Sequence, residues 1–314
     1  MKTVEPFMAK EPSMAIEIGG LKLKNPLLPA SGTYGYGREY APLIAPDLFG
    51  AVVTKGVSLE PWPGNKPPRI VETPAGMLNA IGLQNPGVDS FIKEAIPFLR
   101  QCHTPVIVNI VGKTTAEYAR VAEILSGYPE ISGFELNISC PNVKEGGIAF
   151  GTDPKMAFEV TKMVRAVTKL PLIVKLSPNV TDITTIACKV EEAGADCISL
   201  VNTLLGMAID LNKKRPVLGN TFGGLSGPAI KPVALRMLWQ TYQKVSIPLI
   251  GMGGIVSAAD ALEFIMAGAT AVAVGTGIFK NPGLPEKIIA GIRDYLVEEE
   301  IFNIADIRGI AHGK

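Results

Sequence analysis

Short apolar runs rich in valine, isoleucine and leucine recur along the chain, separated by longer stretches in which apolar residues return every three or four positions. The runs are Leu27-Leu28, 51–54, 106–108, 134–136, 172–174, 198–201, Leu249-Ile250 and 271–274. Continuous short runs suit strands buried on both faces, and the three-to-four spacing suits amphipathic helices. Helices are predicted over 90–100, 115–125, 154–168, 183–193, 230–245, 257–267 and 284–299. Eight strands alternating with helices predict an α/β fold of the (β/α)8, or TIM-barrel, type. A doubly wound open sheet is the alternative. It is disfavoured because no G-x-G-x-x-G opens a helix and the alternation continues evenly to the end.

Ahead of the first run, residues 15–23 alternate around Gly19-Gly20 and read as a β-hairpin. Residues 1–13 scatter charges without an apolar core and read as a flexible tail rather than a signal peptide. Residues 14–314 are expected to form a single domain. Two connections are too long to be turns, 56–89 and 204–228, and long loops in a compact domain are usually functional. They are expected as insertions at the C-terminal face of the strands.

Composition narrows the function classes. Of 314 residues 47% are hydrophobic and 19% charged, with a formal charge of +1 and no basic run, so neither nucleic acid nor an acidic membrane is an expected partner. The longest uncharged stretch, 264–279, is glycine-rich and shorter than a membrane span. A cytoplasmic location follows by default. Cys102, Cys140, Cys188 and Cys197 show no close pairing, which argues against a zinc or cluster-binding loop in this chain. With only His103 and His312 present, a histidine base is not expected, and proton transfer needs another group.

The residues that close the strands carry the chemistry, because a barrel places its site there. In order they are Ala30-Ser31, Lys55-Gly56, Asn109, Asn137, Lys175, Asn202-Thr203, Gly253-Gly254 and Gly275-Thr276-Gly277. Each alone is ordinary turn chemistry. Together they converge two lysines and three carboxamides on one mouth, beside glycine-rich turns of the kind that bind phosphate after the last two strands. Such a mouth suits a phosphorylated planar ligand such as FMN, with Lys175 supplying positive charge to a reduced flavin. In the first long connection, Asn79 within the string 77–85 is a candidate substrate contact, whereas Lys213-Lys214-Arg215 in the second read as a solvated face or a partner contact.

After the fourth run comes Asn137-Ile138-Ser139-Cys140-Pro141-Asn142, with Gly146-Gly147 close behind. A thiol, two carboxamides and a hydroxyl at a strand end can do chemistry, and the glycines would let the next segment act as a lid. A buried, inert cysteine is the bland alternative.

The strings MLNAIGLQNPG, ELNISCPNVK, GGIAFGT, VKLSPN, VNTL, GGLSGPA, IGMGG and AVAVGT resemble the catalytic subunit of class 1 dihydroorotate dehydrogenases over almost all of residues 26–276. The GLQNPG variant is most similar to the NAD-linked type 1B branch. By that resemblance Cys140 is the base that removes the C5 proton of dihydroorotate while the C6 hydride passes to FMN. The substrate would be held by Lys55, Asn79, Asn137, Asn142, Asn202 and Thr203, with backbone help from Ile81, Gly82 and Leu83. FMN, one per chain, would contact Ser31, Lys55, Gly56, Asn109, Asn137, Lys175, Val201, Gly227, Gly253, Gly254, Gly275 and Thr276, and no metal is implied.

The type 1B resemblance further implies a homodimer core within a heterotetramer. In it a partner subunit carrying FAD and a [2Fe-2S] cluster passes electrons to NAD+. A fumarate-linked type 1A homodimer, a dihydropyrimidine-type reductase and a non-catalytic flavin- or phosphate-binding barrel with an incidental thiol are the alternatives.

Overall fold

The computed structural model describes residues 11–138 and 150–313. Eight parallel strands form its centre: β1 (Leu27–Pro29), β2 (Val52–Val53), β3 (Val106–Ile110), β4 (Gly133–Asn137), β5 (Leu172–Lys175), β6 (Cys197–Leu200), β7 (Leu249–Met252) and β8 (Ala271–Val274). They are hydrogen-bonded in the order β1-β8-β7-β6-β5-β4-β3-β2. A bond from Gly50 N–H to the Leu27 carbonyl (2.8 Å) joins β1 to the chain entering β2 and brings the two ends of the sheet together. This is the (β/α)8 barrel that the alternation predicts.

The helices lie outside the strands, and four of the described ones begin where a side chain accepts from the otherwise unpartnered first-turn amides. Thr114, Asp153, Asp182 and Ser257 cap the helices Thr115–Leu125, Pro154–Val167, Ile183–Glu192 and Ala258–Met266 in this way. Two departures from the sequence pattern have local causes. The helix predicted over 90–100 is two, Val88–Glu94 and Ile96–Leu99, because Pro97 has no N–H to continue the ladder. Between β1 and β2 the chain makes turns and a short 3-10 helix, Pro46–Leu48, in place of an α-helix. Gly32, Gly35 and Gly37 there all have positive φ, which no α-helix accommodates.

Side chains alternate across each strand, so the barrel has two apolar layers. Leu27, Val52, Val108, Phe134, Leu136, Val174, Ile198 and Val272 point outward and pack under the helices. Leu28, Val53, Ile107, Ile173, Cys197, Ile250, Met252, Ala271 and Ala273 fill the interior. The predicted hairpin is present as Ile16–Ile18 paired antiparallel with Leu21–Leu23. Its Ile18 and Leu23 belong to the interior cluster and plug the bottom of the barrel. Ser13, at the end of the predicted tail, exchanges backbone hydrogen bonds with Phe302 and Ile304.

The two long connections meet each other. Ile70–Thr73 and Gly76–Asn79 from the first pair with Leu204–Gly206 and Gly223–Ser226 from the second in a four-stranded antiparallel sheet. Gly224 lies opposite Asn79, and Ser226 opposite Met77. Leu78, Ala80 and Leu218 form a small separate core beneath this sheet. It roofs one side of the barrel mouth. No described helix is long and apolar enough to cross a membrane.

Candidate active site

A cavity of about 420 Å³ opens at the C-terminal ends of the strands, where a barrel carries its chemistry. That volume lies within the roughly 300–1,000 Å³ typical of small-molecule sites. Its floor is polar because the inward positions change character going up the strands. Ile107, Ile173 and Cys197 occupy the apolar tier. Two residues further along each strand, on the same face, stand Asn109 and Lys175, which line the cavity, and Ser199 just beneath it, all buried. Lys175 Nζ donates to Ser31 Oγ (2.9 Å), and Asn137 Nδ2 donates to Asn109 Oδ1 (3.4 Å). The Tyr118 hydroxyl donates to the Asn137 carbonyl (2.8 Å), fixing the top of β4 to the helix that follows β3.

One wall is glycine. Gly253 and Gly254 follow β7 with φ of +125° and +78°, a region open to glycine and strained for other residues. Space gives a second reason. A Cβ on Gly254 would stand 2.7 Å from Lys231 Cβ and 2.9 Å from the Gly227 carbonyl oxygen. Gly227, Gly275 and Thr276 complete this wall, and the Thr276 hydroxyl donates to Ser226 Oγ (2.6 Å). The wall is braced from behind, where Lys231 Nζ donates to Asp260 (2.6 Å) and Glu263 (2.9 Å). Burial alone would push the Lys231 ammonium down, but these hydrogen bonds carry it above its ordinary value. Burial likewise opposes ionisation of Asp260. Its bonds from Lys231, the Val256 N–H and Ser257 outweigh that and hold the carboxyl below its ordinary value.

A second wall comes from the roof. Asn79, Ile81, Gly82 and Leu83 line it from the first insertion, together with Asn202 and Thr203 after β6. Asn79 Nδ2 donates to the Gly224 carbonyl (3.4 Å), across the two insertions. Asn179 ties the β6 loop down, donating to the Thr203 carbonyl (3.1 Å) and accepting from Leu205 N–H (2.8 Å). Lys55 enters from β2. Desolvation pushes its ammonium below its ordinary value, with Glu39 opposing and Arg69 adding to the shift.

A family model described as dihydroorotate dehydrogenase matches residues 13–296. The chain belongs to the dihydroorotate dehydrogenase family. It is 59% identical over 302 residues to a relative from Geotalea daltonii named dihydroorotate dehydrogenase B (NAD(+)), catalytic subunit, covering 96% of this chain and 99% of that one. A relative of the same name from Geobacter metallireducens is 57% identical, covering 96% of this chain and 98% of that one. The fold is similar to a crystal structure of a dihydroorotate dehydrogenase from Eimeria tenella in complex with ferulenol. There the TM-score is 0.79 at 22% identity, over 99% of this chain and 92% of that one.

With the family established, the residues anticipated from sequence can be placed. Ser31, Lys55, Gly56, Asn109, Asn137, Lys175 and Val201 line the cavity, as do Gly227, Gly253, Gly254, Gly275 and Thr276. Asn79, Ile81, Gly82, Leu83, Asn202 and Thr203 line it from the roof side. Cys140 and Asn142 lie outside the described residues. The three described cysteines are elsewhere: Cys102 and Cys188 are half-buried away from the mouth, and Cys197 is in the barrel interior. Burial, reinforced by Glu135, pushes the Cys197 thiol far up, so it stays protonated.

Sequence reasoning missed Thr33 and Ser226, which also line the cavity, and the buried pair Glu135 and Ser199 beneath it. For Glu135 the signal was present, because a charged residue between Phe134 and Leu136 in a barrel strand must point into the barrel. The donor set fits FMN on two structural grounds. Gly227, Gly253, Gly254 and Gly275 line the cavity with no side chain between it and their backbone, as a close-packed phosphate requires. A buried ammonium and carboxamides on the floor match the polar edges of a planar ring.

Proposed function

We propose that the chain oxidises (S)-dihydroorotate to orotate, the redox step of UMP synthesis, as the NAD+-linked catalytic subunit of a heteromer. The observation that supports this most is the convergence of Lys55, Asn79, Asn202 and Thr203 on the cavity that the glycine wall also lines. FMN would sit against that wall, its phosphate at Gly253, Gly254, Gly275 and Thr276, with Ser31, Lys55, Gly56, Asn109, Asn137, Lys175, Val201 and Gly227 around the rest. When bound, FMN supplies the acceptor for the hydride leaving C6.

The chain's own residues do the remaining work. Lys55, Asn79, Asn137, Asn142, Asn202 and Thr203 hold the substrate ring and carboxylate, aided by the backbone of Ile81, Gly82 and Leu83. Carboxamides suit this task because each offers both a donor and an acceptor to the ring edge. Cys140 Sγ takes the proton from C5, acting as thiolate. Loss of that proton together with the C6 hydride leaves the C5–C6 double bond of orotate.

Two copies of residues 14–314, each one catalytic domain, would form the core of a cytoplasmic heterotetramer. The partner subunit, carrying FAD and [2Fe-2S], would pass the electrons to NAD+. The test is anaerobic mixing of the purified protein with dihydroorotate while following flavin absorbance. Cys140→Ala should keep its FMN and lose about 10²–10⁴-fold in reduction rate at neutral pH, the usual contribution of a general base. Unchanged reduction in that variant would remove Cys140 from the mechanism. Robust NAD+ reduction by the isolated chain holding only FMN would remove the partner.

A further inference from the structure

The upper interior of the barrel holds a carboxylate that the proposed chemistry leaves unused. Glu135, on β4, is 2% exposed and Lys175, on β5, 3%. Glu135 Oε1 accepts from Asn109 Nδ2 (2.6 Å) and lies 4.0 Å from Lys175 Nζ, while Oε2 accepts from Ser199 Oγ (2.9 Å). Asn109 passes the connection on to Asn137, and Lys175 passes it on to Ser31. One buried carboxylate is therefore at most two contacts from four residues assigned above to the cofactor. Glu135 itself is not among the residues that line the cavity. A charge this deep is costly to bury unless paired and hydrogen-bonded, and the tier directly below it is apolar. Buried charge retained beneath a functional cavity points to a task in that cavity.

We propose that Glu135 is a positioning residue and internal counter-charge: it anchors Lys175 and Asn109 and offsets the lysine's charge, holding the reduction potential of bound FMN below what an uncompensated lysine would set. This rests on the FMN-binding reading above. The physics is Coulombic, because reduction adds electrons to the flavin, so a nearby cation favours the reduced form and a nearby anion opposes it.

The measurement is the FMN midpoint potential of the purified protein, taken by titration against reference dyes. Glu135→Gln keeps the shape and can keep both hydrogen bonds. Its amide oxygen accepts from Asn109, and its amide nitrogen donates to Ser199, whose hydroxyl can turn to accept. Only the charge is lost. The potential should rise by at least the equivalent of a tenfold change in the reduced-to-oxidised equilibrium, about 30 mV for a two-electron couple. Glu135→Asp, which restores the charge, should lie within about threefold of wild type on the same scale.

An unchanged or lower potential in Glu135→Gln overturns the inference. Should Glu135→Gln not fold, Glu135→Met, also neutral and of similar length, takes its place with Lys175 kept. The same tenfold rise over wild type is expected, and an unchanged or lower potential overturns the inference. FMN uptake with equal potentials defeats this inference alone, whereas a wild-type protein that takes up no FMN defeats the functional reading beneath it.

Discussion

Replacing Gly254 by alanine should weaken FMN binding while leaving the barrel folded. Two contributions can be worked from the structure. The φ of +78° is left-handed, and placing an ordinary residue there costs roughly 1–2 kcal/mol. The new Cβ would also meet Lys231 Cβ at 2.7 Å and two backbone atoms, the Gly227 oxygen and Lys231 nitrogen, at 2.9 Å. Backbone on both sides cannot swing aside as a flexible side chain would, so the turn must shift, at a further cost of about 1–3 kcal/mol. A total of roughly 2–5 kcal/mol is at most comparable with the 5–15 kcal/mol that holds a typical domain together.

The shifted turn is the one assigned to phosphate. Losing one charge-assisted hydrogen bond there, worth about 1.5–3 kcal/mol, weakens FMN by roughly 10- to 100-fold. The assay is flavin per chain after gel filtration, with the Kd from fluorescence on reconstitution and a thermal melt in parallel. Gly20→Ala is the control. It has φ of +85° but nothing within 4 Å of a new Cβ, so it carries the backbone cost without the clash and lies at the hairpin plugging the far end of the barrel. A Gly254→Ala protein that binds FMN as tightly as wild type, or no worse than Gly20→Ala, would refute the reasoning.

Two further perturbations separate the substrate side from the frame. A Cβ on Gly224 would fall 2.0 Å from Thr203 Oγ1, so Gly224→Ala should displace Thr203. The expected result is a KM for dihydroorotate raised about tenfold, as for one lost hydrogen bond, with FMN content unchanged; loss of FMN instead would show that the roof also carries the cofactor. Asp260 has a folded-state value below its ordinary 3.8, so its contribution to stability is present above pH 3.8 and is lost as pH falls through the depressed value. Asp260→Asn should lower stability by about 1–3 kcal/mol at neutral pH and flatten the acid limb of a Tm-against-pH curve, and parallel acid limbs in both proteins would contradict the assignment.

The strands were legible because a parallel barrel buries both faces, which leaves runs such as 172–174 and 271–274 unbroken by polar residues. The site was legible for a related reason. Lys55, Asn109, Asn137 and Lys175 follow directly on those runs, and barrel geometry alone brings strand ends to one mouth. Glu135 was harder, because a charge inside a strand signals burial only once its neighbours are known to face the helices. The roof was least visible. Ile70–Thr73 and Gly223–Ser226 are short, and their pairing through Gly76–Asn79 is decided by register between distant segments, which no local pattern encodes.

That roof has a consequence for how the protein comes to life. The Asn79–Gly224 contact spans 145 positions along the chain, so closing it early would confine a very long loop for little return. The barrel strands between them must first bring the two insertions to the same mouth. Loop-closure entropy therefore favours late assembly of the substrate wall, and a chain halted midway through synthesis holds Lys55 and Asn79 but neither the second insertion nor the glycine turns that complete the pocket. Binding of orotate would then report that the two insertions have met over the mouth, since Asn79 comes from one and Thr203 stands against Gly224 of the other.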